Sequence, residues 1–408
     1  MKTELDFNKF VDELMRKIDI TPSQYDTAVA HYNAVAKCLS DGGVADEIYV
    51  QGSFAYGTVV RPMKNGKDAD FDIDLVSQAL LIKDNTLPGE LKSDVRQCLE
   101  ESPYHAPLLS KDEGRRSWKL EYAQKDGVGF HMDVLPCVSE PLTEINKIIR
   151  RGVPPHYADT AIAITDKDKE AGTYDWASGN ARGLASWFND INAPYLDHVA
   201  DAQRRVFVMD GLYATIDEVP VPVLRSSLQR VIQLLKRHRD CRFDGSKTEE
   251  YKPISMIITV LAAKIAQQKA MYTASIFELL SVVVQELSRF SNLLNDNHEG
   301  SAIHLDKALM SRDQSHWYIP NPVNPGENFA ERWSEDNNAR AKAFFQWVSW
   351  LRTDMAFNGK KSGDLFESLG ACFGVDAVSR VYRALDLNPK STPAIFIRSE
   401  DMPKPYRA

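Results

Sequence analysis

The spacing of apolar residues predicts two helices at the start of the chain, followed by a strand. Between residues 5 and 18 the apolar side chains recur at the spacing of one helix face. Thr21 then offers a helix N-cap, with Pro22 at the first helical position of the second helix. Residues 47–53 favour a short strand that runs into a turn, so the chain is expected to pass from a helical pair into a sheet.

Residues 71–76, FDIDLV, predict a strand whose two faces differ in chemistry. Because successive side chains of a strand alternate between faces, Phe71, Ile73 and Leu75 are expected to point into a core. Asp72 and Asp74 then share the opposite face. Acidic residues are common on the solvated face of a strand, so this stretch alone leaves a purely structural interpretation open.

A second strand that carries a carboxylate is predicted at residues 129–138, in a hairpin with residues 117–123. Its alternation places Asp133 and His131 on one face and apolar residues on the other. If this strand lies beside residues 71–76, the carboxylate of Asp133 converges with the two earlier ones. A helix is also expected near residues 88–100.

The pattern of the chain changes at about residue 176, where long helical segments begin. We therefore expect an α+β protein with a catalytic lobe built on a mixed sheet at 1–175 and a mainly α-helical lobe at 176–385. The last residues, 386–408, contain four prolines without periodicity and predict an extended tail. The clearest helices of the second lobe are expected at 223–240, 252–268, 275–290 and 337–355.

Charge and cysteine content exclude several classes of protein. The chain has 408 residues and a formal net charge of -8, which argues against a broad basic surface for duplex nucleic acid and leaves room for a local basic pocket. Its five cysteines are scattered without a C-x-x-C pair, so neither a disulfide framework nor a zinc site is indicated. The N-terminal residues lack an apolar signal core, and the most apolar run is too short to span a membrane. A cytoplasmic protein is expected.

The aspartates at positions 72, 74 and 133 gain a chemical meaning if they meet. Three carboxylates are hard to hold together without cations, and oxygen ligands of this kind suit two Mg²⁺ ions that bridge protein and triphosphate, with Mn²⁺ as a possible substitute. Three separately solvated aspartates are the alternative interpretation.

A Gly-Ser pair precedes these aspartates. Gly52 and Ser53 end the strand predicted at 47–53. Glycine lets a backbone approach a phosphate closely, and the serine hydroxyl adds a hydrogen-bond donor. A Gly-Ser pair is a weak signal alone, but its order before the aspartates predicts a triphosphate site beside the metal site.

This order of motifs resembles the polymerase-β-like nucleotidyltransferases, whose signature is a Gly-Ser, a D-x-D and a later single acidic residue. The loop between Ser53 and Asp72 has a length similar to that of the bacterial branch called CD-NTases, which are relatives of animal cyclic GMP-AMP synthase and oligoadenylate synthase. Residues 321–333 also resemble a D-P-A-D-P segment of oligoadenylate synthases. The resemblance runs from about residue 45 to 355.

The resemblance implies roles for further residues. Lys236 matches the family's lysine that reaches the donor triphosphate, and Ser255 matches a second phosphate contact. Lys236 lies beside an apolar stripe that begins at Leu224, on a helix whose four nearby arginines suit polyphosphate charge: Arg230, Arg237, Arg239 and Arg242. The resemblance aligns the metal pair as Asp72 and Asp74. It leaves Asp70 as a loop or supporting acid. His131 shares the face of the aspartates by strand alternation, and a lone histidine there is expected to be a hydrogen-bonding neighbour and not a ligand.

The activity implied by the resemblance is condensation of nucleoside triphosphates, ATP among them, into a cyclic di- or trinucleotide with release of pyrophosphate. One Mg²⁺ would be held by Asp72 and Asp74, and a second would be shared with Asp133. The product would activate an effector in bacterial anti-phage (CBASS) signalling, and a partner enzyme could conjugate the C-terminus. Two alternatives remain open: a nucleotidyltransferase acting on RNA ends, and a silent nucleotide-binding sensor.

Overall fold

A computed structural model describes six stretches of the chain, residues 7–125, 128–168, 170–203, 225–295, 306–355 and 362–387. The first half forms a sheet flanked by helices. Its helices are α1 (Phe7–Ile18), α2 (Pro22–Asp41), α3 (Gly52–Ala55), α4 (Pro88–Glu101), α5 (Leu142–Arg150) and α6 (Pro155–Ala158). Its strands are β1 (Glu47–Gln51), β2 (Met63–Lys64), β3 (Lys67–Asp68), β4 (Phe71–Ala79), β5 (Trp118–Lys125), β6 (Val128–Ser139), β7 (Ile162–Lys167) and β8 (Tyr174–Gly179).

The central sheet is mixed and runs in the order β1-β4-β6-β7-β8, with β5 paired to the first half of β6. Strands β4 and β6 are parallel, whereas the other pairs of this sheet are antiparallel. Phe71, Ile73 and Leu75 are buried with α2 and α4, as the alternation predicts. The β5–β6 hairpin is also confirmed, and its tip at residues 126–127 lies outside the described residues.

The second half is mainly helical. Its helices are α7 (Ala181–Gln203), α8 (Ser227–Phe243), α9 (Ser255–Lys269), α10 (Ile276–Arg289), α11 (Ala339–Asp354), α12 (Ser362–Phe373) and α13 (Val375–Ala384). Two short antiparallel pairs interrupt them, formed by β9 (Ser311–Asp313) with β10 (His316–Tyr318) and by β11 (Pro320–Asn321) with β12 (Asn324–Asn328). None of the described helices is long and apolar enough to cross a membrane.

Local sequence explains where the key helices begin. The Thr21 side chain accepts a hydrogen bond from the Gln24 backbone, and Gln24 answers with its own side chain, so α2 starts at Pro22 in a capping box. Ser226 and Gln229 form the same reciprocal pair at the start of α8. Helix α8 is buried on almost every side, which makes it the centre of the helical lobe.

Two features of packing differ from the division expected near residue 175. Strand β8 continues the sheet to Gly179, because its backbone pairs with β7 along its whole length. Helix α1 packs with the helical lobe, since its apolar stripe joins the core that contains α8 and α13; Phe10 lies edge-to-face against Tyr382. The domain limits themselves stay a prediction. Leu224 and residues 388–408, which make up most of the predicted tail, lie outside the described residues.

Candidate active site

The parallel pairing of β4 and β6 brings the predicted acidic residues together. Asp74 lies directly opposite Asp133 in the register of the two strands, and Asp72 lies opposite His131. The alternation of each strand turns these carboxylates away from the core beneath. Ser117, at the start of the hairpin, donates a hydrogen bond to Asp133 Oδ1 at 3.2 Å. Carboxylates that are far apart in the sequence therefore share one face of the sheet.

A cavity of about 290 Å³ lies in front of these carboxylates, between the two lobes. All seven residues predicted from the sequence line it. They are Gly52, Ser53, Asp72, Asp74, Asp133, Lys236 and Ser255. Arg239, Asp240, Thr58 and Thr259 add polar groups, while apolar walls come from residues such as Val59, Phe71 and Met256. A cleft that combines apolar walls with a few converging polar groups is typical of a small-molecule site.

Gly52 is required by its position beside Asp74. The end of β1 pairs with β4 so that Gln51 lies opposite Asp74, and Gly52 follows with a φ of +63°. A Cβ atom at this position would collide with the Asp74 carboxylate. Both the left-handed backbone and the close approach therefore favour glycine, and they place Ser53 at the wall of the cavity.

The carboxylates on this face perturb one another. Burial, followed by the negative charges of Asp133 and Asp72, raises the pKa of Asp74 to about 7. The pKa of Asp72 is also raised, first by desolvation and then by Asp133. These two aspartates thus resist ionisation in the absence of a nearby cation. Raised pKa values of this kind are typical of carboxylates at functional sites.

The donor set fits Mg²⁺, which prefers oxygen ligands at about 2.0–2.1 Å. Three carboxylates in one cavity supply such ligands, and a bound cation would offset the repulsion that raises the pKa of Asp74. Within the described part of the chain, the carboxylate oxygens of Asp72, Asp74 and Asp133 do not all lie within 4.8 Å of one another. An ion shared by all three aspartates would therefore draw their carboxylates closer together, since the ligands of one ion lie nearer to one another than this.

Lys236 is more deeply buried than its sequence suggests. Its side chain leaves the apolar stripe of α8 for the cavity, and the residue is only 3% exposed. The ammonium group donates to Thr58 Oγ1 at 3.0 Å and to the Thr58 carbonyl at 3.3 Å. Burial, followed by the charge of Arg239, lowers the pKa of Lys236 to about 7. An anion in the cavity would restore its charge.

Ser255 is the first residue of α9 and faces the same cavity. Its Oγ accepts a hydrogen bond from Arg239 at 3.0 Å.

Of the four nearby arginines that were expected to suit polyphosphate charge, Arg239 lines the cavity. Arg230, Arg237 and Arg242 bind aspartates elsewhere, at Asp19, Asp68 and Asp354. The basic stretch is therefore mostly used to hold the fold, which corrects its interpretation as a phosphate-binding surface.

No family model matches the chain. It is 29% identical over 329 residues to a c-di-GMP synthase of Roseivirga ehrenbergii, across 79% of this chain and 72% of the relative. It is 24% identical to the cyclic dinucleotide synthase CdnG of Bradyrhizobium diazoefficiens, across 79% of this chain and 69% of the relative. The family expected from the motifs is thereby confirmed. Both of these relatives are cyclic dinucleotide synthases, and the chain is similar to the bacterial CD-NTases.

Solved structures agree with this fold. The Bradyrhizobium diazoefficiens CdnG complex with GTP superposes with a TM-score of 0.61 at 19% identity, covering 93% of this chain and 98% of that one. The Vibrio cholerae cyclic AMP-GMP synthase DncV, with a nonhydrolyzable GTP, gives a TM-score of 0.50 at 13% identity, covering 82% and 70%. The predicted α+β class, with a polymerase-β-like lobe and a helical lobe, is confirmed.

Asp70 and His131 take supporting positions on or next to the strands that carry the aspartates. Asp70 Oδ1 accepts a hydrogen bond from the Gly129 backbone at 2.8 Å, and its Oδ2 lies 3.8 Å from His131 Nε2. Neither residue is among those that line the cavity. Their placement agrees with the interpretation of Asp70 as a supporting acid and His131 as a neighbour.

Sequence reasoning missed Thr58 and Asp240 as cavity residues and did not single out Arg239. Asp240 lies four residues after Lys236, so the helical period could have placed both on one face of α8. Arg239 lies one residue earlier and reaches the cavity through contacts with α9. Thr58 follows the Gly-Ser turn without any distinctive spacing, and only the packing of α8 against its segment reveals it.

A second polar cluster, away from the cavity, is joined by hydrogen bonds among His238, Asp354 and Arg242. His238 Nε2 lies 2.9 Å from Asp354 Oδ2, and Trp347 donates to His238 Nδ1 at 3.2 Å. Arg242 binds the same aspartate. Cys372 completes a group of potential ligands within 4.8 Å. Because both ring nitrogens of His238 are already bonded, this cluster serves α8–α11 packing better than metal binding.

Proposed function

We propose that this protein is a CD-NTase that condenses nucleoside triphosphates into a cyclic di- or trinucleotide and releases pyrophosphate. The observation that carries the proposal is the convergence of three carboxylates, a buried lysine and two serines in one cavity between the lobes. The names of the similar proteins add GTP to the ATP expected from the sequence as a candidate substrate. The product would act on an effector in anti-phage signalling within the cytoplasm.

Different residues of the cavity would bind the phosphates and the metal ions. Lys236, Ser53 and Ser255 can donate hydrogen bonds to the β- and γ-phosphates of the donor, which would lie against the Gly52 turn. Asp72, Asp74 and Asp133 would hold two Mg²⁺ ions. When bound, such ions lower the pKa of an attacking hydroxyl and neutralise the leaving pyrophosphate.

The reaction joins two nucleotides through one phosphodiester at a time. The acceptor ribose hydroxyl gives up its proton to solvent, and its oxygen bonds to the donor α-phosphorus. The bond from that phosphorus to the oxygen that bridges to the β-phosphate breaks, and pyrophosphate leaves with that oxygen. The sheet would hold the aspartates near the acceptor hydroxyl, and Lys236 on α8 and Ser255 on α9 would contact the donor phosphates. A last step of the same kind, between the two ends of the linear product, closes the ring: it is the second step for a dinucleotide and the third for a trinucleotide.

One incubation tests the proposal. Purified protein is mixed with the four nucleoside triphosphates and Mg²⁺ or Mn²⁺, treated with phosphatase, and resolved by chromatography and mass spectrometry. We expect phosphatase-resistant cyclic products from the wild type and none from the Asp72→Ala, Asp74→Ala double variant. Asp41→Ala is the matched control, because the Asp41 side chain is 65% exposed and pairs only with Lys37 among the described residues.

Two other outcomes would reject the proposal in different ways. Activity that appears only when an RNA primer is added would identify a nucleotidyltransferase acting on RNA ends. Nucleotide binding without any product, with either metal ion, would identify a sensor.

Conjugation of the C-terminus by a partner enzyme is a separate proposal, and it fails if conjugates persist after the last residues are deleted.

A further inference from the structure

The wall of the cavity contains an ion pair that the mechanism above does not use. Arg239 is 8% exposed, and its Nε and Nη2 both lie on Asp240 Oδ1, at 2.8 and 2.7 Å. Adjacent residues of a helix do not normally face each other, so this pairing requires the Arg239 side chain to fold toward its neighbour in the sequence. Asp240 is buried as well, and both residues line the cavity.

The other end of the guanidinium reaches the start of α9. Arg239 Nη1 donates to the Pro253 carbonyl at 2.9 Å and to Ser255 Oγ at 3.0 Å. A guanidinium has five N–H donors and no acceptor, so the serine oxygen can only be the acceptor in this contact. The hydroxyl hydrogen of Ser255 is then available for a different partner.

The surroundings indicate what that partner is. Ser255 is exposed to the cavity, and the buried Lys236 and Ser53 line the same space. A serine hydroxyl that already accepts from a cation is directed to donate, and phosphate oxygens accept without donating. Without Arg239 the hydroxyl could rotate and turn its lone pairs toward the phosphate.

We propose that Arg239, held by Asp240, is a positioning residue that keeps the Ser255 hydroxyl oriented as a hydrogen-bond donor to the donor triphosphate. The inference deepens the proposed function and rests on it, because it needs a triphosphate at Ser255. Asp240 acts one step further away, by fixing two of the guanidinium nitrogens. Its other oxygen, Oδ2, is buried and has no hydrogen-bond partner among the described residues, so the carboxylate makes its printed contacts with Arg239 through Oδ1.

A double-mutant cycle with direct binding tests the inference. The dissociation constant of a nonhydrolysable GTP analogue with Mg²⁺ is measured by calorimetry for the wild type, Arg239→Lys, Ser255→Ala and the double variant. Lysine keeps the charge and loses the fork that holds both contacts. We expect each single change to weaken binding about tenfold and the double variant to be no more than about twofold weaker than either, because the two groups act as one unit.

Kinetics provide a readout that a merely structural role would not change. In Arg239→Lys we expect the KM for the donor nucleotide to rise about tenfold while kcat stays within about threefold, because the aspartates on β4 and β6 are untouched. Arg242→Lys is the control. It lies on the same helix and binds Asp354 away from the cavity, so its nucleotide affinity should match the wild type.

Each remaining outcome decides the matter. Multiplying effects in the double variant, or wild-type affinity in Arg239→Lys, would show that Arg239 does not work through Ser255. If Arg239→Lys fails to fold, Asp240→Asn takes its place in the cycle and must show the same non-additivity with Ser255→Ala. A wild type that binds the analogue and makes no cyclic product would reject the proposed function while leaving this inference intact; a wild type that does not bind it would reject both.

Discussion

The Asp74 carboxylate lowers the stability of the fold that contains it. Its pKa is raised to about 7, chiefly by burial and then by the two neighbouring aspartates. A carboxyl whose folded pKa lies above its unfolded value leaves the fold unaffected below the unfolded pKa near 4. As pH rises from about 4 to 7, the unfolded chain ionises first and the free energy of unfolding falls.

Replacing Asp74 should therefore stabilise the metal-free protein. We expect Asp74→Asn to raise the free energy of unfolding by roughly 1–3 kcal/mol at pH 8, since each pKa unit corresponds to about 1.4 kcal/mol before solvent screening. The gain should shrink toward pH 5. Urea unfolding in EDTA at both pH values measures it, with Asp41→Asn as the exposed control. An equal or lower stability of Asp74→Asn at pH 8 would contradict the repulsion inferred for the site.

At the scale of elements, α8 holds the segment that follows the Gly-Ser turn. Its side chains donate in succession to backbone carbonyls of residues 56–62. The bonds are Gln229 to Tyr56 at 2.8 Å, Gln233 to Val59 at 2.5 Å, Lys236 to Thr58 at 3.3 Å and Arg237 to Arg61 at 2.7 Å. The helical lobe thus supplies hydrogen-bond donors to a segment of the other lobe that lies between α3 and β2.

Gln233→Leu should show the strength of this attachment. The side chain is buried, so leucine would leave the Val59 carbonyl without its partner, at a cost of about 1–3 kcal/mol in the free energy of unfolding. Urea unfolding measures the loss. Gln97→Leu is the comparison, because Gln97 is exposed on α4 and bonds to Glu101. Equal losses at the two positions would argue against a structural role for the α8 contacts.

The elements of the site differ in how far the sequence could predict them. The period of two in β4 and β6 shows which side chains share a face, so the placement of Asp72, Asp74 and Asp133 follows from the alternation of each strand. Their parallel pairing needed the motif resemblance. The packing of α1 against α13 and the contact of Arg239 with α9 depend on tertiary geometry, which local spacing does not encode.

At the scale of the whole molecule, the cavity joins the two lobes, so a ligand that fills it should stabilise both. One acidic and one basic side chain that line the cavity, Asp74 and Lys236, both have a pKa of about 7. Metal binding requires the ionised carboxylate and is favoured as pH rises through 7. Triphosphate binding favours the protonated lysine and is promoted as pH falls through 7.

Thermal unfolding can separate these two effects. With GTP in EDTA, we expect the rise in Tm to be larger at pH 6 than at pH 8. The further rise on adding Mg²⁺ should be larger at pH 8, by a few degrees at saturating ligand, because binding to the folded state adds about 2.7 kcal/mol at 100 times Kd. The Asp72→Ala, Asp74→Ala double variant should lose the second effect and keep the first. A Tm that changes with neither GTP nor Mg²⁺ would count against the site.

The pairing of β4 with β6 also has a consequence for folding kinetics. Asp74 and Asp133 are neighbours only after the chain between them, including α4 and β5, has closed into a parallel crossover. Non-local pairings of this kind form slowly, because the entropy of loop closure is lost before the contacts are gained. The metal site is then absent from early folding species, so Mg²⁺ should slow unfolding and leave the rate of refolding almost unchanged.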